Sequence, residues 1–270
     1  MNSAAKRFYD ESRDIWGLPQ EYKGVELYPI KMKDKKYQRL FFELLTHPKN
    51  YIAEKQIIKM SYLKFLLYVI SQVADIKNME DKIVDFLQYI TKRKDIAISQ
   101  EIVTGKTEPY AAFSVNIKIG DMVMTEVDFA NLREIILEQN GLSIEYVEAY
   151  NPDFEETLIW QQKRSGLTEE DEITIFCALA GVSIDEAGNY SVYQFQVHFE
   201  RLGLLEQYRL YQPLLTSGQI ELKSGNSIQH YSAHIGKKGR YDSVLTRLDS
   251  FMEQTKGLIL PPPNPNNEKE

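Results

Sequence analysis

Residues 191–218, SVYQFQVHFERLGLLEQYRLYQPLLTSG, form the longest helix-like run of the chain, and the rest is read from them. At about 100° per residue, Val192, Phe195, Phe199 and Leu202 share one face. Leu204, Tyr208, Tyr211 and Leu215 make a second face on nearly the opposite side. One straight helix buries both faces only if it is surrounded. Gly203 stands where the phase jumps, and glycine is the usual residue just past a helix end. The pattern predicts two helices, 192–202 and 204–216, with Pro213 kinking or shortening the second. No reactive group converges on the stretch, so it reads as helical scaffold.

Toward the C-terminus, Gln219–Lys223 and Ser227–Tyr231 flank Ser224-Gly225-Asn226 and read as a hairpin. Tyr241, Val244, Leu245, Leu248, Phe251, Met252 and Thr255 follow a near-heptad spacing that suits a last amphipathic helix. Residues 259–270, with the run PPPNPNNEKE, have a disordered composition.

Toward the N-terminus, Thr168 opens a helix whose first turn holds Glu169, Glu170, Asp171 and Glu172, acids that favour the macrodipole. Its stripe is Ile173, Phe176, Cys177 and Ala180, and Gly181 ends it, which makes Cys177 a small core residue. Asn151-Pro152 starts a helix running to about Lys163. Thr125 or Asp128 caps another, with Phe129, Leu132, Ile135 and Ile136 inward and Asn140-Gly141 at its end. Residues 96–104, 111–119 and 122–124 have the β-branched enrichment of strands, with a tight turn at Gly120-Asp121. Earlier helices are marked by Tyr37, Leu40, Phe41, Leu44 and Leu45, by the largely apolar run 54–73, and by Ile83, Phe86, Leu87 and Ile90. Pro29 makes 25–30 an edge strand or an extended segment.

The expected fold is α+β and mainly α-helical: a helical bundle with a small antiparallel sheet inserted near 96–124 and a hairpin near 219–231. Residues 1–150 are expected to form an N-terminal helical part with the sheet, and 151–258 an all-helical part with the hairpin. The boundary is placed within 141–166, and 259–270 form the tail.

Composition bounds function. With 39 acidic against 32 basic residues the net charge is −7, which argues against a surface built to neutralise phosphate. Cys177 is the one cysteine, so no intrachain disulfide forms, as suits a reducing compartment. No run approaches the roughly 20 apolar residues of a membrane span, and no signal-peptide stretch opens the chain. Glycine loops of the forms GxxxxGK[ST] and GxGxxG are absent, as is GxSxG. No enzyme, cofactor or metal is expected. His230 and His234 have an i, i+4 spacing but lack a third ligand nearby. Together with Tyr231, Lys237, Lys238 and Arg240 they form a basic, aromatic stretch suited to a protein partner, and these six are the candidate site residues.

Several phrases carry a family resemblance. They are LPQEYKGVELYPIKMKDKKYQRLFFELLTHPKNYI (18–52) with KMSYLKFLLYVI (59–70), and DFANLREIILEQNG (128–141). GVSIDEAGNYSVYQFQVHFERL (181–202), YRLY (208–211) and GNSIQHYSAHI (225–235) complete the set. Together they resemble proteins of the tail-gene modules of bacteriophages and prophages of Gram-positive bacteria, described as tail assembly chaperones. The resemblance spans about residues 14–256 and has no chemical signature. It implies a non-enzymatic morphogenesis factor in the host cytoplasm, absent from the mature virion. Such a factor holds the tape measure protein, and in some arrangements the tail tube protein, with self-association a further option. The alternatives are a structural virion component, of the baseplate or of tail completion, and an unrecognised enzyme or nucleic-acid-associated phage protein.

Overall fold

The computed structural model describes residues 1–52, 54–73, 76–102, 113–165, 168–219, 228–235 and 240. They belong to two compact units, Met1–Ala149 with Leu167–Gly236, and Tyr150–Gly166 with Lys237–Glu270. The stretch 150–166, inside the expected boundary region, belongs to the second unit, and the chain beyond it returns to the first.

The first unit opens with α1 (Ser3–Lys6), capped by Asn2, whose side chain accepts from the amides of Ala4 and Ala5. Strands β1 (Gln20–Tyr22) and β2 (Val25–Leu27) form an antiparallel hairpin. Its turn, Lys23-Gly24, has φ of 50° and 80°, the left-handed geometry of a two-residue hairpin. The expected strand at 25–30 is therefore present in part, with a partner the sequence does not announce. Gln20 is buried in β1 because its amide is fully used: Nε2 donates to the Asp10 carbonyl (2.7 Å) and to Asp14 Oδ1 (2.9 Å).

Helix α2 (Lys35–Leu45) buries Leu40, Phe41, Leu44 and Leu45, as its spacing requires. The single helix expected over 54–73 is instead several pieces. These are α3 (Lys55–Lys59), α4 (Tyr62–Lys64), a π-helical turn at Phe65–Ile70, and α5 (Ser71–Val73). Met60 turns extended (ψ 149°), and Ser61 begins again as an N-cap. A serine that competes for backbone amides makes that restart cheap. The stretch is nonetheless central, with Leu63, Phe65 and Leu66 fully enclosed.

Helix α6 (Met79–Thr91) leads to the three-stranded sheet β3 (Ile96–Ile102), β4 (Phe113–Ile119) and β5 (Met122–Met124), all antiparallel in sequence order. Ile96 pairs with Ile119 and Ile117 with Met124. Residues 103–112, which include the ends of the expected strands 96–104 and 111–119, lie outside the described residues. Helix α7 (Glu126–Gln139), set off by a Thr125–Asp128 capping box, is enclosed on most sides, and α8 (Ile144–Glu148) follows it. In the second unit, α9 (Pro152–Ser165) is the described helix.

Back in the first unit come α10 (Glu169–Ala180), α11 (Ile184–Asn189) and α12 (Val192–Thr216), each opened by a capping box: Thr168–Asp171, Ser183–Glu186 and Ser191–Gln194. Here the expected break is corrected, because α12 is one continuous helix through Gly203. A helical glycine costs only about 1 kcal/mol relative to alanine, less than abandoning a turn of hydrogen bonds. The two apolar phases receive different environments. Phe195 is buried in the first half, and no residue is buried in the second. The glycine that ends the helix is Gly218 (φ 71°), where Gly218 N–H reaches the Leu215 carbonyl (3.1 Å) and Gln219 N–H the Leu214 carbonyl (3.0 Å). The expected hairpin falls mostly on residues outside the described set, and the described 228–230 carry no strand. The helix and tail expected beyond 240 also lie outside it.

Among the described residues the unit holds two apolar clusters. The larger runs from Ala5 to Val147. The smaller joins Phe176, Ala187 and Phe195 to Met32, with Ile173, Cys177, Tyr190, Phe199 and Leu202 around them. Backbone bonds stitch the two regions together. Lys31 forms a bridge with Ser191, Met32 N–H donates to the Tyr190 carbonyl (2.9 Å), and Lys33 N–H to that of Gly188 (3.0 Å). Val192 N–H returns a bond to the Ile30 carbonyl (2.9 Å).

Candidate functional site

Of the six residues singled out in the sequence, His230 and Tyr231 meet on the flank of α12. The ring of His230 packs edge-on to Tyr208 (4.8 Å between centroids) and beside Tyr231 (4.3 Å). Arg201 fastens the segment by donating Nη1 to the carbonyls of Tyr231 and Ala233. His230 Nδ1 accepts from the Ser232 amide (3.2 Å). The segment 228–235 is not helical, so the i, i+4 spacing does not put His230 and His234 on one face. His234 is exposed. Among the described residues no group of three or more His, Cys, Asp or Glu is placed to hold a metal. Lys237 and Lys238 lie outside the described residues. Arg240 belongs to the second unit, where Nε donates to Glu155 Oε1 (2.5 Å) and the guanidinium lies 5.6 Å from the Tyr150 ring. The stretch is thus an aromatic clip on α12 and a separately paired arginine.

The second half of α12 presents a stronger apolar signal. Leu210 is 60% exposed and Tyr211 42%. Large side chains so displayed on a long helix suit contact with another protein. Of the two, Tyr211 belongs to the second phase read in 191–218, whose other members Leu204, Tyr208 and Leu215 are half-buried, and Leu210 lies off that phase.

A groove of about 320 Å³ lies where Met32–Lys35 meets α10 and α11. Met32, Ile173 and Ala187 give it an apolar floor, and Ile184 stands at its lip, 63% exposed. Lys33 Nζ donates to Asn189 Oδ1 (2.7 Å), and Lys35 pairs with Glu169. The approach is close: a Cβ built on Gly188 would meet Lys33 Cβ at 3.3 Å.

One dense group of ionisable side chains is structural. Arg133, buried in α7, donates Nε to the Leu45 carbonyl (2.9 Å), Nη2 to that of His47 (3.3 Å) and Nη1 to Glu148 Oε1 (2.9 Å). Its guanidinium also lies over the Tyr62 ring, 3.5 Å from the centroid. Tyr62 OH donates to the Leu44 carbonyl (3.1 Å), and burial pushes its pKa up. These groups spend their bonds on the free carbonyls at the end of α2. Burial, with Arg133 adding repulsion, holds His47 below the usual histidine range.

A turn near the N-terminus is fixed in a similar way. Gly17 N–H reaches the Asp14 carbonyl (2.9 Å), and Gln194 Nε2 donates to that of Ile15 (2.8 Å). Between them Trp16 is 75% exposed.

Residues 161–236, which contain α10–α12, the clip and one wall of the groove, match the model of the family described as YomV second domain. The family is of a Bacillus phage type, and the match points to a phage protein. Neither a curated protein nor a solved structure matches the chain. No helix among the described residues is long and apolar enough to cross a membrane.

Proposed function

We infer that the chain is a non-enzymatic phage protein that acts by holding another protein. Its finer role is that of a tail assembly chaperone which binds the tape measure protein in the host cytoplasm. The observation that carries this reading is the second half of α12, with Leu210 and Tyr211 displayed within the matched segment. A tape measure is a long, helix-rich chain whose apolar stripes need cover before the tube closes around it. An exposed apolar helix face is suited to lie along such a stripe, and the net charge of −7 keeps the pair in solution.

Co-expression with fragments of a tape measure protein from a phage or prophage that carries this chain tests the reading. At least one helical fragment is expected to co-purify, and Leu210→Glu with Tyr211→Glu to weaken its capture about tenfold or more without loss of helix content. Mass spectrometry of purified particles is expected to lack the chain. Capture of no fragment overturns the reading, and stoichiometric retention in particles replaces it with a structural virion component.

A further inference from the structure

The groove between Met32–Lys35 and α10–α11 has walls of opposite sign. On one side Lys33 lines it and Lys31 flanks it; both are exposed, and neither forms an ion pair among the described residues. On the α11 side stands Asp185, also exposed and also without an ion pair among the described residues. Lys35 and Glu169 are already paired with each other. At the lip, Ile184 puts a branched apolar side chain into solvent directly before Asp185 in the first turn of α11. The surface therefore carries a plug, a socket, a cation held only by the Asn189 amide oxygen and an anion outside any ion pair among the described residues, within one small area.

We propose that the groove is occupied by a second copy of this chain, related by a two-fold axis. Ile184 of each copy enters the groove of the other, onto Met32, Ile173 and Ala187. Because Asp185 follows Ile184, insertion carries its carboxylate to the Lys33 wall of the opposite groove. Two-fold symmetry makes each contact twice, so one patch supplies both halves of the interface. A foreign segment would need an apolar residue flanked by both charges to match as well. A contact built on one groove is at the small end of specific interfaces, so the dimer is weak and depends on concentration. The inference is independent of the client reading, which uses the second half of α12.

Sedimentation velocity on the full chain, over a concentration series at low and high salt, tests it. A monomer–dimer equilibrium is expected, shifted toward monomer by salt. Ile184→Asp is expected to abolish the dimer with its thermal melt unchanged, since the side chain is mostly in solvent. Lys33→Glu and Asp185→Lys should each weaken self-association by about tenfold or more. Mixing those two variants is expected to restore a dimer. The new carboxylate at position 33 of one copy then faces the new ammonium at position 185 of the other, and the native pair survives at the second contact. A chain that stays monomeric at every concentration overturns the proposal. So does a mixture that fails to recover, or an Ile184→Asp variant that still dimerises.

Discussion

Arg133 shows how one side chain can hold two distant parts of the chain together. Its guanidinium serves the carbonyls of Leu45 and His47 together with Glu148. Arg133→Leu leaves those carbonyls without their donor and should lower stability by about 2–4 kcal/mol, read from urea denaturation. Arg133→Lys is expected to recover little of it, because a single ammonium cannot span the same fork of acceptors. Acid acts on neighbouring groups. The folded pKa of His47 is lowered, so the unfolded chain binds its proton first. Its contribution is complete above the unfolded value of about 6.5 and is lost as pH falls below it. Asp128 is lowered to about 2: burial opposes ionisation, but Lys23, the Thr125 amide and Tyr22 outweigh it. Its contribution is present above the unfolded value of about 3.8 and disappears as pH falls toward 2. Urea midpoints measured against pH should show both declines, and His47→Gln should flatten the upper one.

At the scale of elements, α12 gives a paired test. Gly203 is exposed mid-helix, is absent from the positive-φ glycines, and has nothing within 4 Å of an added Cβ. Gly203→Ala should therefore raise stability by about 0.5–1 kcal/mol. Gly218, at φ 71°, is the true terminator, and Gly218→Ala should cost about 1 kcal/mol. Thermal melts of the two variants should move in opposite directions. The sequence points the other way at Gly203 because periodicity assumes that a helix has one environment along its length, and α12 has two. Where side chains act on their own backbone, the pattern is legible. The Thr125 and Thr168 caps, the α2 and α6 stripes, and the sheet at 96–124 are all present, while of the α10 stripe Phe176 is buried, Ile173 and Cys177 are half-buried and Ala180 is exposed. Where an element depends on a distant partner, the signal is missing. Strand β1 rests on the Gln20 bonds, and α11 is too short for a period, although Ser183 and Glu186 spell its cap. The candidate site divides in the same way. His230 and Tyr231 are legible as neighbours in sequence, but the partner of Arg240 is Glu155, 85 positions away. The groove joins Lys33 to Asn189, 156 positions apart, and no local pattern announces that.

At the scale of the whole molecule, the segment that matches a known domain is not self-contained. Its small apolar cluster is completed by Met32, and its backbone is bridged at Ser191 by Lys31. A fragment of residues 161–236 should show helical circular dichroism but unfold broadly with urea, whereas the full chain gives a cooperative transition at the same wavelength. The same stitching gives Trp16 a use as an optical gauge. Its turn is fastened by Gln194, in the opening turn of α12, while its indole stands in solvent. In a Trp160→Phe background it would be the sole tryptophan. Its fluorescence anisotropy would then drop when α12 lifts from the body, before the larger apolar cluster melts, and would time that detachment separately from global unfolding.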